Sequence, residues 1–174
     1  IPAFESYAFK LDTTAPTVSS TSPADSDTAV SITSSISLTF SDVMDNTSVT
    51  TNTSDTSCSG TFQVSSDSFS TCVQMSASPT VSNSYKTFTV TPSSSLSNNT
   101  TYKIRITTEA KDNGAGNTLS SQYLSSSGFI TSTDNDTTAP TVSSIYPTDN
   151  QSGVSITDNI SVTFSEAMDN TSVT

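Results

Sequence analysis

Ser35-Ile36-Ser37-Leu38-Thr39-Phe40-Ser41 alternates without a break. In an extended chain successive side chains point to opposite faces, so Ile36, Leu38 and Phe40 share one face and the hydroxyl residues share the other. Thr87-Phe88-Thr89-Val90-Thr91 repeats the pattern. So does Thr101-Tyr102-Lys103-Ile104-Arg105-Ile106-Thr107, with Lys103 and Arg105 on the outward side. Period-two alternation marks a half-buried strand. Further strands are expected near 17–22, 29–33, 60–65, 72–77 and 127–132. Pro16, Pro23, Pro79 and Pro92 punctuate them, together with Asn and Asp clusters. Seven or eight short strands at this spacing predict an all-β fold, a β-sandwich. The one helical turn expected is Met44 to Val49, capped by Asp42 or Asp45.

Composition narrows the function. The chain has 174 residues, of which 39 are Ser and 33 Thr, so hydroxyl side chains make up roughly two fifths of it. Charged residues are 12% and hydrophobic residues 31%, both below the usual share. Net charge is −11 with five basic residues, which excludes a nucleic-acid binder. No apolar run approaches the ~18 residues of a membrane span. Histidine is absent, so a Ser-His-Asp triad and a His-ligated metal are excluded. Of the three Glu residues, Glu5, Glu109 and Glu166, none sits in a frame suited to glycoside hydrolysis. The chain is read as not an enzyme.

An internal repeat sets the domain organisation. Residues 12–50 and 136–174 align without a gap at an offset of 124, and 27 of the 39 positions are identical. A period of that length is a whole domain. Residues 12–135 are therefore read as one complete sandwich and 136–174 as the first third of a second. Residues 1–11 are read as the last strand of a preceding module or a free N-terminal strand. Either the sequence is a window on a longer tandem array, or another chain completes the partial module.

DTTAPTVSS at 12–20, the strand ending TFSEAMD at 163–169, and KTFTVTPSSSLSNNTTYKIRITTEAKDNGAGN at 86–117 resemble the bacterial Ig-like domain family of S-layer proteins and large surface adhesins. The resemblance covers nearly all of 12–135 and again 136–174. It implies a seven-stranded Ig-like sandwich, outside the cell, in tandem copies. Leu96 to Tyr102 looks like the tyrosine-corner segment of such sandwiches, in which a Tyr hydroxyl bonds back to upstream backbone. Lys111 to Asn117 looks like the family's tight turn, with positive φ at Gly114 and Gly116 and backbone bonds to Asp112. The Ser/Thr-rich segment 51–85 departs from the family pattern.

That segment carries the two cysteines, Cys58 and Cys72. Outside the cell they would form a disulfide, closing a loop of about 15 residues worth ~3 kcal/mol in the chain-entropy model. Two unpaired thiols and a two-sulfur zinc site are the other readings.

In the implied sandwich the incoming linker and the loops after the second and sixth strands share a pole. Asp12, Asp45 and Asp112 would meet there, joined by Asp42 in the first copy and by Glu166 and Asp169 in the second. Asp134, Asn135 and Asp136 supply further oxygens in the linker. Calcium takes six to eight such oxygens, so a Ca²⁺ bridging modules is one expectation. The other is that these residues cap turns. Eight N-x-[ST] sequons begin at Asn46, Asn52, Asn98, Asn99, Asn135, Asn150, Asn159 and Asn170. In a chain so rich in Ser and Thr they are a weak signal. Ser tracts at 93–95 and 125–127 suit O-linked glycans equally.

The combined reading is a structural module of an extracellular or cell-surface protein, forming a stalk, filament or surface layer. Its partners would be neighbouring copies of the same module, joined in one chain or by strand donation between chains. The alternative is an adhesin or glycan-binding module. Close repetition of 12–50 by 136–174 favours the stalk over a specialised tip, and a role as an enzyme accessory domain ranks third.

Overall fold

The computed structural model describes residues 12–133, 138–166 and 168. The chain divides into two units, Ile1–Asn135 and Asp136–Thr174. The residues read as an N-terminal strand, 1–11, lie outside the described residues.

The first unit contains β1 (Val18–Ser22), β2 (Ile36–Phe40), β3 (Phe62–Ser65), β4 (Thr80–Ser82), β5 (Thr87–Val90), β6 (Thr101–Ile106), β7 (Tyr123–Leu124) and β8 (Phe129–Ile130). There is no helix among the described residues. One sheet has the order β1-β2-β5-β4, and the other the order β3-β6-β7, with β8 also pairing β6. All pairings are antiparallel. This is the expected all-β sandwich.

The alternation read from the sequence decides what each strand buries. Ile36, Leu38, Phe40, Phe88 and Val90 face inward from the first sheet, and Phe62, Val64, Tyr102, Ile104, Ile106 and Phe129 from the second, in one core cluster. Phe40 and Phe88 meet edge to face, with centroids 5.8 Å apart, an arrangement that aromatic quadrupoles favour. On the outer face hydroxyls pair across strands. Thr39 and Thr87 lie 3.0 Å apart and Ser35 and Thr91 2.9 Å. Such pairs satisfy polar groups without charge.

Two expected strands are not regular strands. Residues 29–33 reduce to a single parallel bridge, Val30 to Thr131. Ser26 and Ala29 have positive φ, which breaks an extended ladder. The segment instead lies beside the end of the module. The N–H groups of Ser26, Val30, Ile130 and Ser132 donate to the carbonyls of Gly128, Ile130, Asp27 and Val30 at 2.6 to 3.1 Å. The Asp25 carboxylate accepts the Ser127 and Gly128 N–H groups. Residues 72–77 fail for another reason. The N–H groups of Cys72, Val73, Met75 and Ser76 donate to Thr56, Val64, Asn52 and Thr91. Spread over separate partners, these bonds leave only one isolated antiparallel bridge, Met75 to Pro92. The sheet edge is formed by β4, after Pro79, and the second sheet gains the short β7; neither was expected.

The expected helical turn at Met44–Val49 is a hydrogen-bonded turn rather than a helix. Asp45 caps it: its Oδ1 accepts the Thr47 N–H at 2.9 Å and its carbonyl accepts the Ser48 N–H at 2.9 Å.

The tyrosine corner is present. The Tyr102 hydroxyl oxygen accepts the Ser97 N–H at 3.0 Å, and the ring stacks on Phe129 at 5.8 Å. Gly128, at φ +82°, lets β8 pass close by, because a Cβ there would run into the Tyr102 carbonyl.

The second unit contains β9 (Val142–Tyr146) and β10 (Ser161–Phe164), an antiparallel pair. Its register copies β1 with β2. Val142 faces Phe164 as Val18 faces Phe40, and Ser144 faces Thr163 as Ser20 faces Thr39, with the same bulge between them. Ile156, Ile160 and Val162 are exposed, whereas the equivalent Ile32, Ile36 and Leu38 are buried. The described residues of this unit have no counterpart of the second sheet to cover them.

Tyr102→Phe leaves the Ser97 N–H without its acceptor and is expected to lower stability by about 1 kcal/mol, read as a lower urea midpoint with an unchanged slope.

Candidate functional site

The pole expected to gather carboxylates is built from three segments. The loop 111–117 follows β6, the capped turn 45–48 follows β2, and Asp12 begins the incoming chain. Backbone bonds tie them together. The Asp45 N–H donates to the Lys111 carbonyl at 3.0 Å and the Asn113 N–H to the Val43 carbonyl at 2.8 Å.

Asp112 organises the loop. It is buried, and its Oδ1 accepts the Gly116 and Asn117 N–H groups at 2.7 and 3.0 Å. Its Oδ2 accepts the Asn117 side-chain amide at 2.8 Å. The same amide nitrogen donates to the Asp12 carbonyl at 3.1 Å, which pins the incoming chain. Gly116, at φ +75°, and Gly114, at φ +146°, give the loop its curvature.

Asp12, Asp45 and Asp112 are thus brought to one pole, but each carboxylate is already engaged. Asp12 Oδ1 accepts the Thr14 N–H at 2.9 Å. Asp45 Oδ1 accepts the Thr47 N–H and hydroxyl, and its Oδ2 lies 3.7 Å from Lys111 Nζ. The Thr47 bonds, with a smaller contribution from Lys111, hold the Asp45 carboxyl below the usual aspartate range. Asp42 accepts the Ser41 hydroxyl at 2.9 Å. Among the described residues no group of three acidic or sulfur side chains is arranged to hold a metal ion. Asp134, Asn135, Asp136 and Asp169 lie outside the described residues.

The cysteine-bearing insert forms a second site. Cys58 and Cys72 are disulfide-bonded, with Cα atoms 4.9 Å apart. All four residues of β3 are buried, the outward-pointing Gln63 and Ser65 included. Gln63 Nε2 donates to the Cys58 and Gly60 carbonyls at 2.8 and 2.7 Å, and its Oε1 accepts Arg105 Nε at 2.6 Å. The Arg105 guanidinium lies 4.0 Å from the centroid of the Phe69 ring, a cation–π contact. Arg105 does leave the core, as its alternation requires, but the insert partly covers it. Strand periodicity carries no signal for that cover.

Asp67 anchors the insert. Its carboxylate accepts the Thr71 hydroxyl and N–H and the Ser65 hydroxyl. These bonds hold its carboxyl down to about 2. The sequons separate by burial: Asn52 is 3% exposed and unreachable, whereas Asn46, Asn98, Asn99, Asn150 and Asn159 are exposed. Ser125, in one of the Ser tracts, is also buried.

The profile of a family described as bacterial Ig-like domain matches residues 12–131 and 136–174. Among solved structures, the chain is similar to surface layer protein SbsC, domains 1-6, at 20% identity and a TM-score of 0.48, covering 75% of this chain and 15% of that one. It is similar to the N-terminal part of the bacterial S-layer protein SbsC at 21% identity and a TM-score of 0.47, covering 74% of this chain and 26% of that one. The chain thus spans about a quarter or less of the solved chains it resembles. No curated protein sequence matches it.

The depressed Asp67 carboxyl adds stability that is fully present above its ordinary value of 3.8 and is lost as the pH falls toward about 2. Asp67→Asn is therefore expected to flatten the fall of the melting temperature across that window, with little change in the pH dependence above pH 5.

Proposed function

The chain belongs to the bacterial Ig-like domain family, and from that membership we propose that it is a structural module of an extracellular, cell-surface protein, one that transmits tension along a stalk, filament or surface layer. One observation carries the reading. The segment 26–30, near the start of the sandwich, lies parallel to 128–132 at its end, joined by four backbone hydrogen bonds. A chain pulled from its two ends drags these segments past each other. The four bonds then share the load and must break together, whereas a ladder pulled from one end opens one bond at a time.

The repeat fits the same role. β9 and β10 reproduce β1 and β2, register and bulge included, so the unit is of a kind that recurs. The polar side chains covered by loops brace those loops rather than pair a nucleophile with a base. Asp112 and the Gln63–Arg105 pair are the main cases.

The neighbours of the module are proposed to be further copies of itself, in the same chain or joined by strand donation. Calcium at the junction is part of the proposal and falls on the linker oxygens of Asp134, Asn135 and Asp136, and on Asp169. The bonds that occupy Asp12, Asp45 and Asp112 leave them fewer free oxygens for an ion.

Electron microscopy of the protein with calcium and with chelator tests this. The longest strand, β6, has six residues and spans ~20 Å. With the loops at each pole and the linker added, ordered arrays with an axial repeat of roughly 30–45 Å are expected. Softening of the arrays in chelator supports the junction calcium, and unchanged arrays reject it. Compact particles that never associate, but bind glycans, would replace the structural reading with the adhesin one.

A further inference from the structure

Asn113 is the only one of the eleven asparagines followed by glycine. It lies in the loop that pins the incoming chain. It is exposed, and a Cβ built on Gly114 would meet nothing within 4 Å. We propose that Asn113 is a self-modifying site, at which the loop converts with time to an isoaspartyl or aspartyl form.

The step needs only water. The Gly114 backbone nitrogen bonds to Cγ of Asn113 and gives up its proton, and the side-chain amide leaves as ammonia, which closes a succinimide. Water then adds to either ring carbonyl, and the ring nitrogen leaves as a restored backbone amide. Asparagine and water become aspartate or isoaspartate and ammonia, and nothing is oxidised or reduced. Ring closure requires the following residue's nitrogen to approach Cγ. A side chain on that residue obstructs the approach, and glycine has none. At the other asparagines the following residue is Thr, Ser, Asn, Asp, Gln or Ile.

The position gives the reaction a consequence. The Asn113 N–H is anchored on the Val43 carbonyl at 2.8 Å, and the Gly116 N–H on the Asp112 carboxylate at 2.7 Å. An isoaspartyl link routes the backbone through Cβ and adds a methylene between these two anchors. It also sets a new carboxylate beside the buried Asp112. Both changes strain the hold on Asn117, whose amide bonds Asp112 and the Asp12 carbonyl. The modified loop would release the incoming chain.

The test is incubation of the whole chain at mildly alkaline pH, followed by peptide mass mapping and labelling with an isoaspartyl-specific methyltransferase. The peptide holding Asn113 is expected to gain the mass of an amide-to-acid exchange while the other asparagine peptides keep theirs. The label should be lost in Asn113→Gln, which retains the backbone bond to Val43. Hydrogen exchange at residues 12–17 should rise on ageing in the natural chain and not in that variant. Retention of the Asn113 amide while other asparagines convert would overturn the site. Conversion with unchanged exchange at 12–17 would overturn its link to the incoming chain. Neither outcome depends on whether the module assembles.

Discussion

Burial of one alternating stripe is the constraint on which the rest of the structure depends. Ile36, Leu38 and Phe40 are at most 1% exposed. They are covered by the sheet that carries Phe62, Val64, Ile104 and Ile106. In a chain with 31% hydrophobic residues there is little apolar surface to spare, and each fully buried side chain of this size contributes roughly 1.5–3 kcal/mol. A slip of one residue in β2 would turn that stripe to solvent. The second unit separates local from tertiary causes. Its strand pair has the same register and bulge, so pairing is encoded locally. Its stripe is exposed, so burial depends on the second sheet.

What the sequence made legible follows the same division. Strands with strict alternation, at 35–41, 87–91 and 101–107, are where the structure has them. The tyrosine corner and the Asp112 turn were legible through the family resemblance, and the bonds that define them, Ser97 N–H to the Tyr102 hydroxyl and Gly116 N–H to the Asp112 carboxylate, span only five and four residues. The pairing of Cys58 with Cys72 was legible because the chain has only two cysteines. The segments 29–33 and 72–77 were misjudged because the positive φ of Ala29 and the four separate acceptors of 72–76 leave no mark on the pattern of apolar residues. Arg105 was read as outward-facing, and the cover over it comes from a disulfide-held insert with no periodicity of its own.

The candidate metal ligands show where residue type misleads. Short acidic side chains serve equally as ligands and as acceptors for turn N–H groups. Asp12, Asp45 and Asp112 lie on segments tied together by hydrogen bonds, but each carboxylate accepts bonds from its own turn. They stiffen the loops where the incoming chain meets the module, while the parallel pairing of 26–30 with 128–132 ties the start of the sandwich to its end. Hydroxyl pairs take the place of charge pairs on the outer face, consistent with a surface that is hydrated but weakly charged.

Single-molecule extension of the module, held at Asp12 and Thr133, tests the force-carrying role most directly. One abrupt rupture is expected, followed by a gain in contour length of about 350 Å with the disulfide closed. After reduction the gain should grow by roughly 45 Å, because the loop between Cys58 and Cys72, 14 residues apart, is released. Smooth extension at low force, with no rupture event, would contradict a module whose ends are tied together to resist tension.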